Sequence, residues 1–324
     1  MFVLGLDIGG TKIECVLVDL GTNKNFNPDQ IKKIKVKMRI DSNRLTGYAN
    51  VLENIAKLCL KVCKEAKTDL SACAGIGVGL PGTVDPKTNR MVNGNTQIFI
   101  QKDFAGDLKK ALKFKGKVVL ENDANCFSYA ESVCGVGKKH AVKFSISVEK
   151  QVSIGVILGT GVGGGIVINQ TILRGRNGSG GEIGHTNLIT NGLPCYCGHN
   201  GCVEQYLSGT ALEGHFNGRI YSQIGKIKNC KEIFELYDQL DPLAIATVKQ
   251  YRKYLAQFLI NLTNIFDPDY FVFGGGLSNQ KIIYEGIEED LEIQTFAPKS
   301  KPKIYQNSLG DSAGVFGAML LALK

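Results

Sequence analysis

Short apolar runs separated by polar and glycine-rich breaks open the chain. Residues 2–6 are apolar, residues 7–12 are polar or glycine except Ile8, and apolar positions resume at Ile13, Cys15 and Leu17 within 13–20, so the pattern predicts strand, turn, strand. A third strand is expected over 35–40. From 45 to 66 the residues Tyr48, Leu52, Ile55, Cys59 and Val62 recur at helical spacing. Strands are predicted at 75–79, closed by Pro81 and Gly82, and at 118–121, with helices over 104–113 and 124–134, the latter ending at Gly135. In the second half, strands at 151–158 and 166–169 flank a glycine cluster. Residues 180–209, dense in Gly, Cys and polar residues, read as a structured loop. The longest helical pattern covers 242–266, with Asp241 as N-cap and Pro242 at the first helical position. A strand at 270–273 runs into Gly274, Gly275 and Gly276, and a last helix over 312–323 is apolar on most faces and expected inside a core. Strands interleaved with helices imply an α/β chain.

The 324 residues exceed one ordinary domain of roughly 100–200. Two are expected: 1–121, completed by the C-terminal helix 312–324, and 122–311, carrying the loop 181–204. With 44% apolar and 21% charged residues the composition is globular. The net charge of +8 is mild and scattered, Lys32 and Lys33 soon meeting Asp41, and gives no ground for a nucleic-acid partner. The most apolar stretch, 313–323, is about half the ~20 residues of a membrane span, and the N-terminus lacks the basic region of a signal peptide. Ten cysteines are too sparse for a disulfide scaffold, and Cys15, Cys73, Cys126 and Cys134 lie in or beside apolar segments as reduced thiols, so a cytoplasmic location is expected.

One pattern occurs twice. Leu6-Asp-Ile-Gly-Gly-Thr-Lys12 and Leu158-Gly-Thr-Gly-Val-Gly-Gly-Gly165 each sit between two apolar runs, as strand, glycine turn, strand. Gly159-x-Gly161-x-x-Gly164 and Gly77-x-Gly79-x-x-Gly82 also fit the dinucleotide spacing. A helix must follow that fingerprint, whereas a strand follows the first and Pro81 interrupts the second, so a nicotinamide cofactor is not expected. A glycine hairpin instead lets backbone N–H groups approach phosphate oxygens, with Thr11 and Thr160 as hydroxyl donors, Lys12 as a charge, and Asp7 able to hold Mg²⁺ through water.

Two further groups carry chemistry. In Glu121-Asn122-Asp123-Ala124-Asn125 two acids and two amides stand where a strand meets a helix; a carboxylate at that edge accepts the proton of a substrate hydroxyl, or Asp123 merely caps the helix. Cys195, Cys197 and Cys202 fall within eight residues with turn glycines between them, a spacing for tetrahedral zinc. The fourth ligand is expected from His185, with His199 the local competitor. Four protein ligands make a structural site, bracing a loop that carries Glu182 and Glu204.

Together, Asp7-Ile-Gly-Gly-Thr-Lys12, Glu121-Asn-Asp-Ala-Asn125, Leu158-Gly-Thr-Gly-Val-Gly-Gly-Gly165, Gly181-Glu-Ile-Gly-His185 and Cys195-x-Cys197-Gly-x-x-Gly-Cys202-x-Glu204 resemble the motif set of the ROK (repressor, open reading frame, kinase) family of sugar kinases. The resemblance implies the actin-like ATPase (hexokinase) fold: two ribonuclease-H-like α/β domains with ATP and sugar in a cleft. It implies that Asp123 is the general base on a sugar 6-hydroxyl, and that Pro81, Gly82, Asn95, Asn122, Glu182, His185 and Glu204 line the sugar pocket. Asp7, Gly9, Gly10, Thr11, Lys12, Gly159, Thr160, Gly161, Gly163, Gly164, Gly274, Gly275 and Gly276 would hold ATP and Mg²⁺, while His185, Cys195, Cys197 and Cys202 would hold zinc. A homodimer is the common state in the family.

An enzyme is therefore expected, transferring the γ-phosphate of ATP to a hexose. Around Pro81 and Asn95-Thr96-Gln97 the residues look closer to fructokinases and mannokinases than to N-acetylglucosamine kinases, which favours fructose, mannose or glucose over an N-acetylhexosamine. The rival from another class is a sugar-responsive transcriptional regulator. Such members place a helix-turn-helix before the first glycine motif, which here begins at Asp7.

Overall fold

The computed structural model describes residues 1–21, 33–94, 96–220, 228–297 and 301–324. In chain order the elements are β1 (Phe2–Ile8), β2 (Lys12–Asp19), β3 (Ile34–Asp41), α1 (Tyr48–Glu65), β4 (Cys73–Leu80), β5 (Gly82–Asp85), β6 (Arg90–Gly94), α2 (Phe104–Leu112), β7 (Lys117–Asn122), α3 (Asp123–Val133) and α4 (Val136–Phe144). They continue as β8 (Val152–Leu158), β9 (Val162–Ile168), β10 (Thr171–Ile172), α5 (Glu204–Leu207), α6 (Gly209–Ile220), α7 (Cys230–Asp238), α8 (Pro242–Phe266), β11 (Tyr270–Gly274), α9 (Ile287–Gln294), β12 (Lys303–Gln306) and α10 (Ala313–Leu321). Among the described residues no helix is long and apolar enough to cross a membrane.

The chain divides into two units. One holds 1–150, 165–181 and 308–324; the other holds 151–164 and 182–307. This division differs from the domains expected above, because 122–150 and 165–181 group with the first unit. The cause is local. Strand β7 runs straight into α3, and α3 lies so close to α10 that a Cβ at Gly317 would collide with the Cys126 carbonyl.

In the first unit the sheet order is β3-β2-β1-β4-β7. Strands β1 and β2 form the antiparallel hairpin read from the sequence, and β4 and β7 continue it in parallel. Buried side chains fill one face, and on the other α10 rests directly on glycines, since a Cβ at Gly77 would collide with the Ala318 carbonyl. Only residues without side chains allow that approach. The β5–β6 hairpin was not foreseen; Gly82 faces Gly94 in its ladder, where a side chain would meet backbone.

The second five-stranded sheet runs β10-β9-β8-β11-β12, with β11 parallel to both β8 and β12. It repeats the motif of an antiparallel glycine hairpin followed by parallel strands. Strand β9 begins at Val162, inside the glycine cluster and four residues before the expected 166. Helix α8 starts as expected, Asp241 accepting from the Ala244 N–H with Pro242 behind it.

Candidate active site and metal centre

The first unit gathers several candidates at the ends of its strands. Asp7 is the penultimate residue of β1, two residues before Gly9, whose N–H closes the turn on the Lys12 carbonyl at 2.9 Å. From the neighbouring strand end, Ser42 braces that turn twice: its N–H donates to the Thr11 carbonyl and its hydroxyl to the Gly10 carbonyl, each at 2.8 Å. Asn122 ends β7 and caps α3, its side-chain oxygen accepting from Asn125 N–H at 3.0 Å while its amide donates to the Gly82 carbonyl at 3.2 Å. The cap is therefore Asn122 and not Asp123. Asp123 occupies the first helical position and accepts from Ala124 N–H at 2.9 Å.

Asp7 and Asp123 feel one another. Burial, reinforced by the charges of Asp123 and Glu14 and opposed by Arg39, pushes the Asp7 carboxyl up to about 7. Beneath them Glu121 is buried and accepts from Asn122 N–H, from the Asn125 amide and from Arg174, so the acid of this motif is spent on holding its neighbours. Glu14 was not singled out either; it is buried in β2 between Arg39 at 3.0 Å and the Ser312 hydroxyl at 2.9 Å. Pro81 lies between β4 and β5 next to Gly82, and Asn95 lies outside the described residues.

In the second unit the β8–β9 turn is closed by Gly159 N–H on the Gly161 carbonyl at 3.0 Å. The start of α6 stitches onto it, Gly209 N–H donating to Gly159 at 2.7 Å and the Thr210 hydroxyl to the Thr160 carbonyl at 2.9 Å. Gly274 ends β11, and Gly275, at φ +82°, presses against Leu158 and Gly159 where a side chain would collide. Gly163 and Gly164 lie in β9, and Gly276 opens a 3-10 turn. Glu204, first residue of α5, accepts from Val162 N–H at 2.9 Å and leaves no room for a side chain at Gly161. The carboxylate assigned to sugar is thus also a brace of the glycine turn.

The loop between β9 and α5 brings His185, Cys195, Cys197 and Cys202 together, their ligand atoms all within 4.8 Å of one another. His185 Nδ1 stands 3.7 Å from Cys195 Sγ, and Cys197 Sγ stands 3.5 Å from Cys202 Sγ. A tetrahedron with metal–sulfur bonds of about 2.3 Å has edges near 3.7 Å, so these side chains fit zinc. His199 is no part of the group; its carbonyl instead accepts from Cys195 N–H at 2.8 Å, folding the loop. Burial and the neighbouring thiols push Cys202 up to about 12, a preference that a divalent cation among the sulfurs reverses. On its outer side His185 Nε2 pairs with the Tyr196 hydroxyl at 3.1 Å. Glu182 immediately precedes the 3-10 turn that presents His185.

The ROK family model matches residues 3–324. An N-acetyl-D-glucosamine kinase of Yersinia pseudotuberculosis is 31% identical over 329 residues, 98% of each chain. A ROK hexokinase of Thermus thermophilus is 29% identical with a TM-score of 0.79, over 99% of this chain and 97% of that one. A ROK glucokinase of Streptomyces griseus, solved with glucose and AMPPNP, is 26% identical with a TM-score of 0.75, over 99% of both chains.

Proposed function

The chain belongs to the ROK family, and on that premise we propose that it is an ATP-dependent kinase that phosphorylates the 6-hydroxyl of an N-acetylhexosamine, N-acetylglucosamine first. The observation that carries the chemistry is Asp123 at the N-terminus of α3, electrostatically coupled to Asp7 within one unit. The observation that carries the sugar is whole-chain identity to N-acetyl-D-glucosamine kinases. That identity displaces the preference for fructose, mannose or glucose, which rested on a few residues around Asn95.

In this reading Asp123 accepts the proton of the sugar hydroxyl as the hydroxyl oxygen attacks the γ-phosphorus. Asn122, already held by Gly82, orients a neighbouring hydroxyl. The backbone of the first glycine turn, beyond the Gly9 N–H that closes it, donates to phosphate oxygens. Asp7 would hold Mg²⁺, which neutralises the β- and γ-phosphates when bound with ATP. His185, Cys195, Cys197 and Cys202 would fill all four positions of a zinc ion, which would then fix the loop and the His185 tautomer.

Asp123→Asn tests the base. It is expected to lower kcat by ~10²–10⁴-fold while sugar affinity, read by calorimetry, stays close to wild type. Turnover within a few fold of wild type would remove Asp123 from the mechanism.

A further inference from the structure

We infer that Arg44 binds the phosphate being transferred, its guanidinium laid over the first glycine turn by the backbone of residues 42–44. This deepens the kinase reading and rests on it. Phosphoryl transfer spreads negative charge over the oxygens of the moving group, and a planar guanidinium matches two of them at once. Within the β1–β2 turn the only formal cation is Lys12, which is the ladder partner of Asp41.

Arg44 supplies a second cation at that place. Its Nη1 lies where a Cβ on Gly10 would be only 3.2 Å away, and Cζ would be 3.8 Å away, so the guanidinium sits on the bare α-carbon of Gly10. The position is built by the chain. Ser42 is buried and bonded to both Gly10 and Thr11. Asn43 then takes a left-handed conformation at φ 47°, which turns the backbone so that Arg44 returns over the glycines. Two arginines of the unit are committed to buried carboxylates, Arg39 to Glu14 and Arg174 to Glu121. Arg44 makes no ion pair among the described residues, and it is exposed. Asp7 pairs with Gly79 and Gly79 with Glu121 across the sheet, so this turn stands at the same strand ends as Asn122 and Asp123, and in the kinase reading its cation would face the phosphate being transferred. During transfer the bond from the sugar oxygen to phosphorus forms, the bond to ADP breaks and the proton goes to Asp123. Arg44 only donates hydrogen bonds to the phosphoryl oxygens and keeps its own protons.

The test uses the full chain, Arg44→Ala and Arg44→Lys, with two readouts: Mg²⁺–AMPPNP and AMP affinity by calorimetry, and ADP release with ATP and N-acetylglucosamine. Arg44→Ala is expected to weaken AMPPNP at least tenfold, to leave AMP within twofold, and to lower kcat/KM for ATP by ~10–100-fold; Arg44→Lys falls between. AMPPNP binding within twofold of wild type overturns the inference, as does an equal loss for AMP, which would mean a damaged turn and not a lost phosphate contact. A wild-type chain that turns over no sugar, with AMPPNP still selectively weakened in Arg44→Ala, overturns the kinase reading and leaves the phosphate contact standing. A wild-type chain that binds no AMPPNP overturns both.

Discussion

Asp7 shows how the burial of a carboxyl works against stability. Its carboxyl group titrates near 7 because burial and the charges of Asp123 and Glu14 outweigh Arg39. A carboxyl raised in the folded state favours folding most below the ordinary aspartate range of about 4, and that contribution is lost as the pH rises through about 7. Asp7→Asn is therefore expected to melt higher than wild type at pH 8 and to flatten the fall in melting temperature between about pH 4 and 7, while losing turnover. A variant that melts lower than wild type at pH 8 would contradict this. At this scale the sequence was legible where a motif fixed the residue type. In the second unit His185 and the three cysteines stand together as expected, and in the first Asn122 and Asp123 stand side by side at the start of α3. The division of labour was not legible. Asn122 takes the cap, Glu121 takes Arg174, and Glu204 takes Val162 N–H, because each depends on which backbone groups a neighbouring element leaves unpaired.

At the scale of elements, both glycine hairpins could be read directly, since an apolar run broken by Gly-Gly-Thr or Gly-Thr-Gly has few other ways to turn back on itself. The β5–β6 hairpin and α6 could not. The first has strands of only 4 and 5 residues, and the second carries glycines at 209, 214 and 218 that dilute its helical signal. The loop that gathers the four metal-binding side chains turns through backbone conformations open to glycine, Gly198 at φ +92° and Gly201 at φ +80°. The purified chain is expected to carry one zinc, and Cys202→Ser is expected to lose it. That variant should raise the sugar KM by about tenfold, more than the ATP KM, because the loop presents Glu182 and His185. A zinc-free variant with the wild-type sugar KM would mean that the loop holds its shape without metal.

For the whole molecule, the two-unit α/β architecture follows from the repeated hairpin, whereas the division between units does not. Residues 122–150 join the first unit through the close approach of α3 to α10, a contact between segments nearly two hundred residues apart that no local pattern announces. Substrate identity belongs to this scale as well. A single methyl or hydroxyl is discriminated by pocket shape assembled from many segments, and so a cue at Asn95-Thr96-Gln97 weighs less than identity along the whole chain. The most direct measurement is kcat/KM for N-acetylglucosamine, N-acetylmannosamine, glucose, mannose and fructose in a coupled ADP-release assay. The account predicts that N-acetylglucosamine exceeds glucose, mannose and fructose by about tenfold or more. A plain hexose turned over as well as or better than N-acetylglucosamine would contradict it.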